Sequence, residues 1–411
     1  MKPIVAILAG AALALGSCDS LGVRVLDYFD ETTVAPLVSN GGLDDAGADL
    51  LDRNLDGVSV LMTGEAHGSA ESIEIALLLA RHLAEGGRPT TLLWEVGFAA
   101  GVYLDEYLAG GQAATLDEII AASEGTYLFT REWRDFYRAI RELNASRPAA
   151  DRIRLLGVDI EHQYGRGLSL MQESLPDAPV GSAPSQIAAV VGDLVGWSPA
   201  NASEPADNDL SAAISGSLEE HASAWKGYLD TAFDRFRIAA VSVRSRFECY
   251  ATSEDRFARA REAAIERIFL EADSWHRART APTDPFYYGH WGRVHIRRAP
   301  ADGVDWIAGR IESTPGYAGA VLSAKLFYHE SLALRRNPYR VAPLADPPIA
   351  VGLLARSSTG PVTLYDLDEP GSPFLDRPEL VASPDAGGAT TDYFQLAVLV
   401  RGGSAAVPLS R

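Results

Sequence analysis

The feature that most constrains this chain is a strand, a helix and a second strand compressed into fewer than 40 residues. Residues 58–62 (VSVLM) read as a short buried strand ended by Thr63-Gly64. Residues 72–85 repeat apolar side chains at Ile73, Ala76, Leu77, Ala80, Leu83 and Ala84, which is helical spacing, with Glu71 and Glu74 in the first turn and Gly86-Gly87 closing it. Residues 91–94 (TLLW) form the next strand. A βαβ unit of this kind makes its two strands parallel neighbours. The chain is therefore expected to be α/β, with a mainly parallel central sheet and helices on both faces.

The theme recurs. Residues 103–108 and 116–122 read as helices, 131–144 as an amphipathic helix, and 153–158 (IRLLGV) as a third strand. Residues 175–210 are rich in Pro, Ser, Gly, Ala and Asp and read as a loop-rich part of a helical insertion at about 165–250. Helical patterns return at about 211–247 and 254–278, and residues 286–288 form a fourth short strand. Strand-like runs at 350–355, 362–367 and 394–400, separated by Pro, Gly and Asp turns, are expected to complete the sheet. The domain reading is a leader at 1–17, a polar lead-in at 18–44, one α/β domain at 45–345, and its own closing strands at 346–411.

Four expected strands run into ionisable residues: Glu65 and His67, Glu95, then Asp159, Glu161 and His162, and finally His290. In an open parallel sheet the carboxyl ends of the strands share the edge where ligands bind, so acids and imidazoles far apart in sequence are expected to converge there. Each also has a plainer reading. Asp159 is a cap, His290 a hydrogen-bonded core histidine, Glu95 a solvated carboxylate. Arg261 shares a helix face with Phe257, Ala264, Ile265 and Ile268, where a guanidinium requires an acidic or anionic partner. That partner is either a structural carboxylate or a substrate. There is no GxSxG elbow, HExxH, P-loop or GxGxxG after a strand.

At the other end, residues 1–17 (MKPIVAILAGAALALGS) have one early Lys, an apolar stretch and small residues, the layout of an export signal. The apolar run is shorter than the roughly 20 residues a spanning helix needs. Leu15-Gly16-Ser17-Cys18 resembles a bacterial lipobox, in which Cys18 becomes the first residue and carries lipid. The expectation is an exported protein tethered to the cell envelope on the periplasmic side of a membrane. Cys249 is the only other cysteine, so a lipidated Cys18 rules out an internal disulfide. With 36 basic against 55 acidic residues, a formal charge of −19 and no basic stripe, nucleic acid is not an expected partner. A hydrophobic share of 47% is that of a folded chain with a sizeable core.

The chain resembles the erythromycin esterase-like family, within a wider group that includes ChaN-type haem-binding lipoproteins and Tiki-type proteases. The resemblance rests on Gly64-Glu65-Ala66-His67-Gly68 after a strand, Leu93-Trp94-Glu95-Val96-Gly97-Phe98-Ala99-Ala100, and a Leu104-Asp105-x-Tyr107 helix. It continues through Gly157-Val158-Asp159-Ile160-Glu161, Arg261-Glu262, Gly289-His290 and the terminal Asp392-Tyr393-Phe394-Gln395. It spans about residues 45–411. It implies a catalytic cluster of Glu65, His67, Glu95 and His290, supported by Asp159, Glu161, His162 and Arg261. The sequence departs at two places. Glu65-Ala66-His67 is one residue shorter than the usual esterase spacing, and Arg293 stands where a second His follows the first, with His295 two residues later.

The chemistry implied is hydrolysis of a small-molecule ester or lactone. His67 or His290 would be the general base, Glu65 or Glu95 would orient it, and Arg261 or Arg293 would stabilise the oxyanion. That reading requires no cofactor. The same Glu65, His67, Glu95 and His290 set also suits a divalent metal that acidifies a bound water. The ChaN resemblance implies instead a haem or ligand carrier with Tyr164, Tyr287 or a histidine as axial ligand, and the Tiki resemblance a metal-dependent protease.

Overall fold

A computed structural model describes residues 24–177, 180–280, 283–381, 383 and 387–410. The leader and Cys18 lie outside the described residues. Twelve strands are described: β1 (Val34–Pro36), β2 (Val38–Ser39), β3 (Gly42–Leu43), β4 (Val60–Glu65), β5 (Thr90–Gly97), β6 (Arg154–Asp159), β7 (Phe286–Gly292), β8 (Val321–His329), β9 (Ser331–Arg335), β10 (Arg340–Leu344), β11 (Val362–Asp366) and β12 (Leu396–Arg401). Eight of them form one sheet in the order β1-β11-β12-β8-β4-β7-β5-β6. The pairs β4/β8, β8/β12 and β5/β6 are parallel, while β11 runs antiparallel to β12 and β1. This is the expected α/β class with C-terminal strands completing a mainly parallel sheet.

Several elements depart from expectation, each for a physical reason. The strand expected to stop at Thr63-Gly64 continues to Glu65, because Gly64 pairs with Lys325 of β8. The helix after it, Ala70–Glu85, keeps its expected place. β7 lies between β4 and β5 in the sheet, so those two strands are not direct neighbours. The run at 350–355 is not a strand but part of the helix Pro348–Arg356. Its pattern PIAVGLLAR is a short apolar run, which periodicity alone cannot assign, and Pro at the first turn favours a helix. The loop-rich reading of 175–210 is also too sparse: it holds the helix Ala188–Gly196 and the start of Glu204–Glu220. The strand β8 was not legible at all. It is buried over nearly its whole length, so no alternation marks it, and Lys325 interrupts its apolar run.

The described residues form two compact units. One holds the chain up to His82, Ser123–Phe136 and everything from His290 onward; the other holds Leu83–Ala122 and Tyr137–Gly289. In the first, β8 is the central strand and residues such as Val60, Met62, Leu326 and Val398 are fully or almost fully buried around it. In the second, β5 and β6 pack on the helices Phe98–Leu108 and Glu254–Thr280, and the helix Phe233–Tyr250 packs against those two helices. There Asp105 accepts from Arg154 Nε (2.9 Å) and from the Leu155 amide (2.9 Å), tying helix to strand. Buried Asn144 does the same job, donating to the Leu108 and Ile153 carbonyls and accepting from the Ile153 amide. No described helix is long and apolar enough to cross a membrane.

Candidate active site

β4 ends by delivering Glu65, and the turn that follows brings His67 back onto it. His67 Nδ1 lies 2.7 Å from Glu65 Oε1. The other carboxylate oxygen accepts from Ser72 Oγ at 2.5 Å, at the start of the helix Ala70–Glu85, and lies 3.5 Å from His290 Nε2. His290 comes from β7, and its Nδ1 meets Thr63 Oγ1 at 2.8 Å. Trp133 packs against the His290 ring at 6.2 Å and Tyr127 stacks on His67 at 5.2 Å. One carboxylate thus faces two imidazoles and a hydroxyl. Burial pushes the Glu65 carboxyl up, but the hydrogen bonds and charge of His290 and His67 outweigh it and hold it below the usual carboxylate range.

The two imidazoles differ in access. The His67 side chain is 38% exposed, whereas that of His290 is 0% exposed. Because an ionised Glu65 accepts at Nδ1 of His67, the basic nitrogen of that ring is Nε2. This atom faces Gly292 of β7: a Cβ there would lie 3.1 Å from His67 Nε2 and 3.3 Å from His295 Cδ2. Both rings therefore crowd one backbone position, where a Cβ would fit only if a ring gave way slightly. His295 itself is buried between Trp291 and Trp306. Arg293 is ion-paired with buried Asp346, which also accepts from the Tyr328 amide at 3.0 Å. The two residues at the departure point thus differ: Arg293 pairs with an acid, and His295 sits beside His67.

Glu95, Asp159, Glu161, His162 and Arg261 assemble in the other unit. Arg261 Nη2 lies 2.8 Å from Glu95 Oε1, and its Nε and Nη2 grip Asp159 at 2.9 and 2.5 Å. His162 Nε2 approaches the same Asp159 at 3.3 Å and its Nδ1 meets the Tyr250 hydroxyl at 3.1 Å. Burial pushes the Asp159 carboxyl up, but the charges of Arg261 and His162 hold it well below the usual range. Glu161 differs: it accepts one amide, Ala99 N at 2.9 Å, and burial pushes its carboxyl up to about 7. The partner that the Arg261 face requires is therefore a pair of carboxylates, Glu95 and Asp159. Tyr287 is fully buried and donates to Asp273 at 2.6 Å, while Tyr164 lies under the Arg246 guanidinium.

Sequence reading missed Ser72, Thr63 and Tyr127. Ser72 lies in the first turn of the helix Ala70–Glu85, its amide donating to the Ser69 hydroxyl, and nothing local announces that its own hydroxyl turns to Glu65. Among the described residues no three His, Cys, Asp or Glu side chains come together as a metal-holding group.

Solved structures share this open α/β fold. No family model matches the chain, and no curated protein matches it in sequence. A Bacillus cereus protein matches with a TM-score of 0.66 at 15% identity, over 96% of this chain and 99% of its own. A succinoglycan biosynthesis protein matches with a TM-score of 0.71 at 11% identity, over 95% and 98%. A mutant of the erythromycin esterase EreC, in its open conformation, matches with a TM-score of 0.62 at 14% identity, over 90% and 98%. The chain has the erythromycin esterase-like fold.

Proposed function

We propose that this chain is an exported, lipid-anchored hydrolase that opens an ester or lactone with Glu65 and His67. The observation that carries the reading is the 2.7 Å Glu65–His67 contact, made by a buried carboxylate and an accessible imidazole. His67 Nε2 takes a proton from a water as the water oxygen attacks the carbonyl carbon. Glu65 fixes the ring through Nδ1 and stabilises the imidazolium. Collapse of the tetrahedral intermediate breaks the carbon–oxygen bond, and His67 returns the proton to the leaving alkoxide. The products are a carboxylic acid and an alcohol. Arg293, whose side chain is partly exposed beside its Asp346 partner, is the cation assigned to the oxyanion. His290, fully buried, holds the second oxygen of Glu65 and acts through it. The fold shared with an erythromycin esterase supports the reaction class. No metal or haem enters these steps.

The test is a panel of esters and lactones hydrolysed by the parent protein and by His67→Asn. Loss of a general base lowers kcat/KM by about 10²–10⁴-fold. Full activity in His67→Asn on every substrate the parent cleaves would end this assignment. The anchor is tested separately: Cys18→Ala should move the protein from the membrane fraction to the soluble one. Retention of the variant with membranes would refute lipidation at Cys18.

A further inference from the structure

The hairpin β9–β10 carries Arg335, Arg336 and Arg340 around its tip, in a chain of formal charge −19. Nearby arginines are neutralised: Arg293 by Asp346, Arg297 by Asp302, Arg298 by Glu312. Among the described residues, none of the three hairpin arginines has a carboxylate at ion-pair distance or a side-chain hydrogen bond. Arg336 instead lies over the Tyr127 ring, 5.4 Å from its centroid, and Tyr127 stacks on His67 at 5.2 Å with the planes 29° apart. The guanidinium and the imidazole thus lie against the same aromatic ring.

This spacing is held from both sides. The Tyr339 hydroxyl donates to the Thr126 carbonyl at 2.8 Å and accepts from the Gly125 amide at 3.0 Å, fixing the tip to the segment that bears Tyr127. On the strand side of the tip, the Leu334 amide donates to the Gly68 carbonyl, one residue beyond His67. Glu124 is the acid facing Tyr339 from that segment, opposite Arg336.

We propose that the substrates of this site carry an anionic oxygen group, a carboxylate or a phosphate, close to the scissile ester, and that Arg336 binds it. The inference rests on the hydrolase reading above and names its substrate class. A guanidinium takes either group through two parallel hydrogen bonds, and one already stacked on an aromatic face loses little freedom on doing so. The reaction is unchanged: water adds, the ester bond breaks, and the anionic group takes no part in the chemistry.

The test compares p-nitrophenyl butyrate with mono-p-nitrophenyl succinate on the full chain, as parent, Arg336→Ala and Arg336→Glu. The quantity read is the ratio of kcat/KM for the anionic ester to that for the neutral one. Losing a hydrogen-bonded charge partner should lower that ratio about tenfold in Arg336→Ala, mainly through KM, and further in Arg336→Glu. A ratio within twofold of the parent in both variants overturns the proposal. If the parent cleaves neither ester, the hydrolase reading loses its support and binding decides this one. Monomethyl succinate and methyl phosphate are then titrated calorimetrically into parent and Arg336→Ala. Binding of either, lost in the variant, upholds the anion site and identifies its chemistry; no binding of either overturns it.

Discussion

A single carboxylate between two imidazoles makes small displacements at this site expensive. The position that controls them is Gly292, whose missing side chain makes room for His67 Nε2 and His295. Gly292→Ala is expected to shift the His67 ring by a fraction of an ångström and lower kcat up to about tenfold, since catalysis is sensitive to small misplacements of the reacting groups. Thermal melting beside the kinetics checks it: a loss of activity no larger than the loss of folded protein refutes the idea. Glu161 makes a prediction about pH. Its folded-state value of about 7 lies above the ordinary 4.5, so between those limits the folded chain keeps a proton the unfolded chain has released. Stability contributed by this group is therefore lost as pH rises through that window, by on the order of 3 kcal/mol. Glu161→Gln keeps an acceptor for the Ala99 amide and removes the charge. Denaturant unfolding at several pH values should show the variant gaining on the parent from pH 5 to pH 8, and parallel curves would exclude the explanation.

At the scale of the element, β8 is where sequence and structure part most. It is the central strand of its unit, and its Lys325 points among Phe327 and Phe394 with Nζ donating to the Leu380 carbonyl at 2.9 Å. Burial pushes its ammonium down to about 7. Between there and the ordinary 10.5 the unfolded chain binds the extra proton, so stability rises with pH across that window. Lys325→Met should abolish the rise and stabilise the protein below pH 7, read from melting curves between pH 6 and pH 10; an unchanged slope would be the contrary result. The helix Pro348–Arg356 gives a companion test. Gly352 has open space where a Cβ would stand, so Gly352→Ala should stabilise by about 0.5–1 kcal/mol, as a glycine in a helix interior predicts.

These elements explain what could be read in advance. Strands followed by a helix with clear caps, such as β4 and Ala70–Glu85, announce themselves, and so do the ionisable residues at their ends. Glu65, His67 and His290 meet as strand-end reasoning anticipates, because β4 and β7 are neighbours in the sheet and the turn after β4 folds His67 back. Ser72, in a first helical turn, and Tyr127, in a loop, were illegible because their roles depend on side-chain direction. Short apolar runs buried on both faces, as in β8 and 350–355, carry no period to read.

For the molecule as a whole, the charge of −19 sets what it meets. It should show no band shift with duplex DNA at about 50 mM salt, where phosphate contacts are strongest, and a clear shift would mean that a basic surface had been overlooked. Against that background the arginine hairpin is a local reversal of sign, built on a base that cannot drift. Gly68 sits at φ +93°, its carbonyl accepts from both Leu334 and Ala406, and a Cβ there would lie 2.3 Å from the Leu334 carbonyl oxygen. Any other residue at 68 would part the hairpin from the turn that carries His67. Selection for new substrates at the proposed anion site is therefore channelled: Arg335, Arg336 and Arg340 are free to vary, while Tyr339 and the Gly68–Leu334 contact hold the tip in place. Within such a lineage, divergence should accumulate at the three arginines and spare Gly68 and Tyr339, so that a change of diet requires no change of engine.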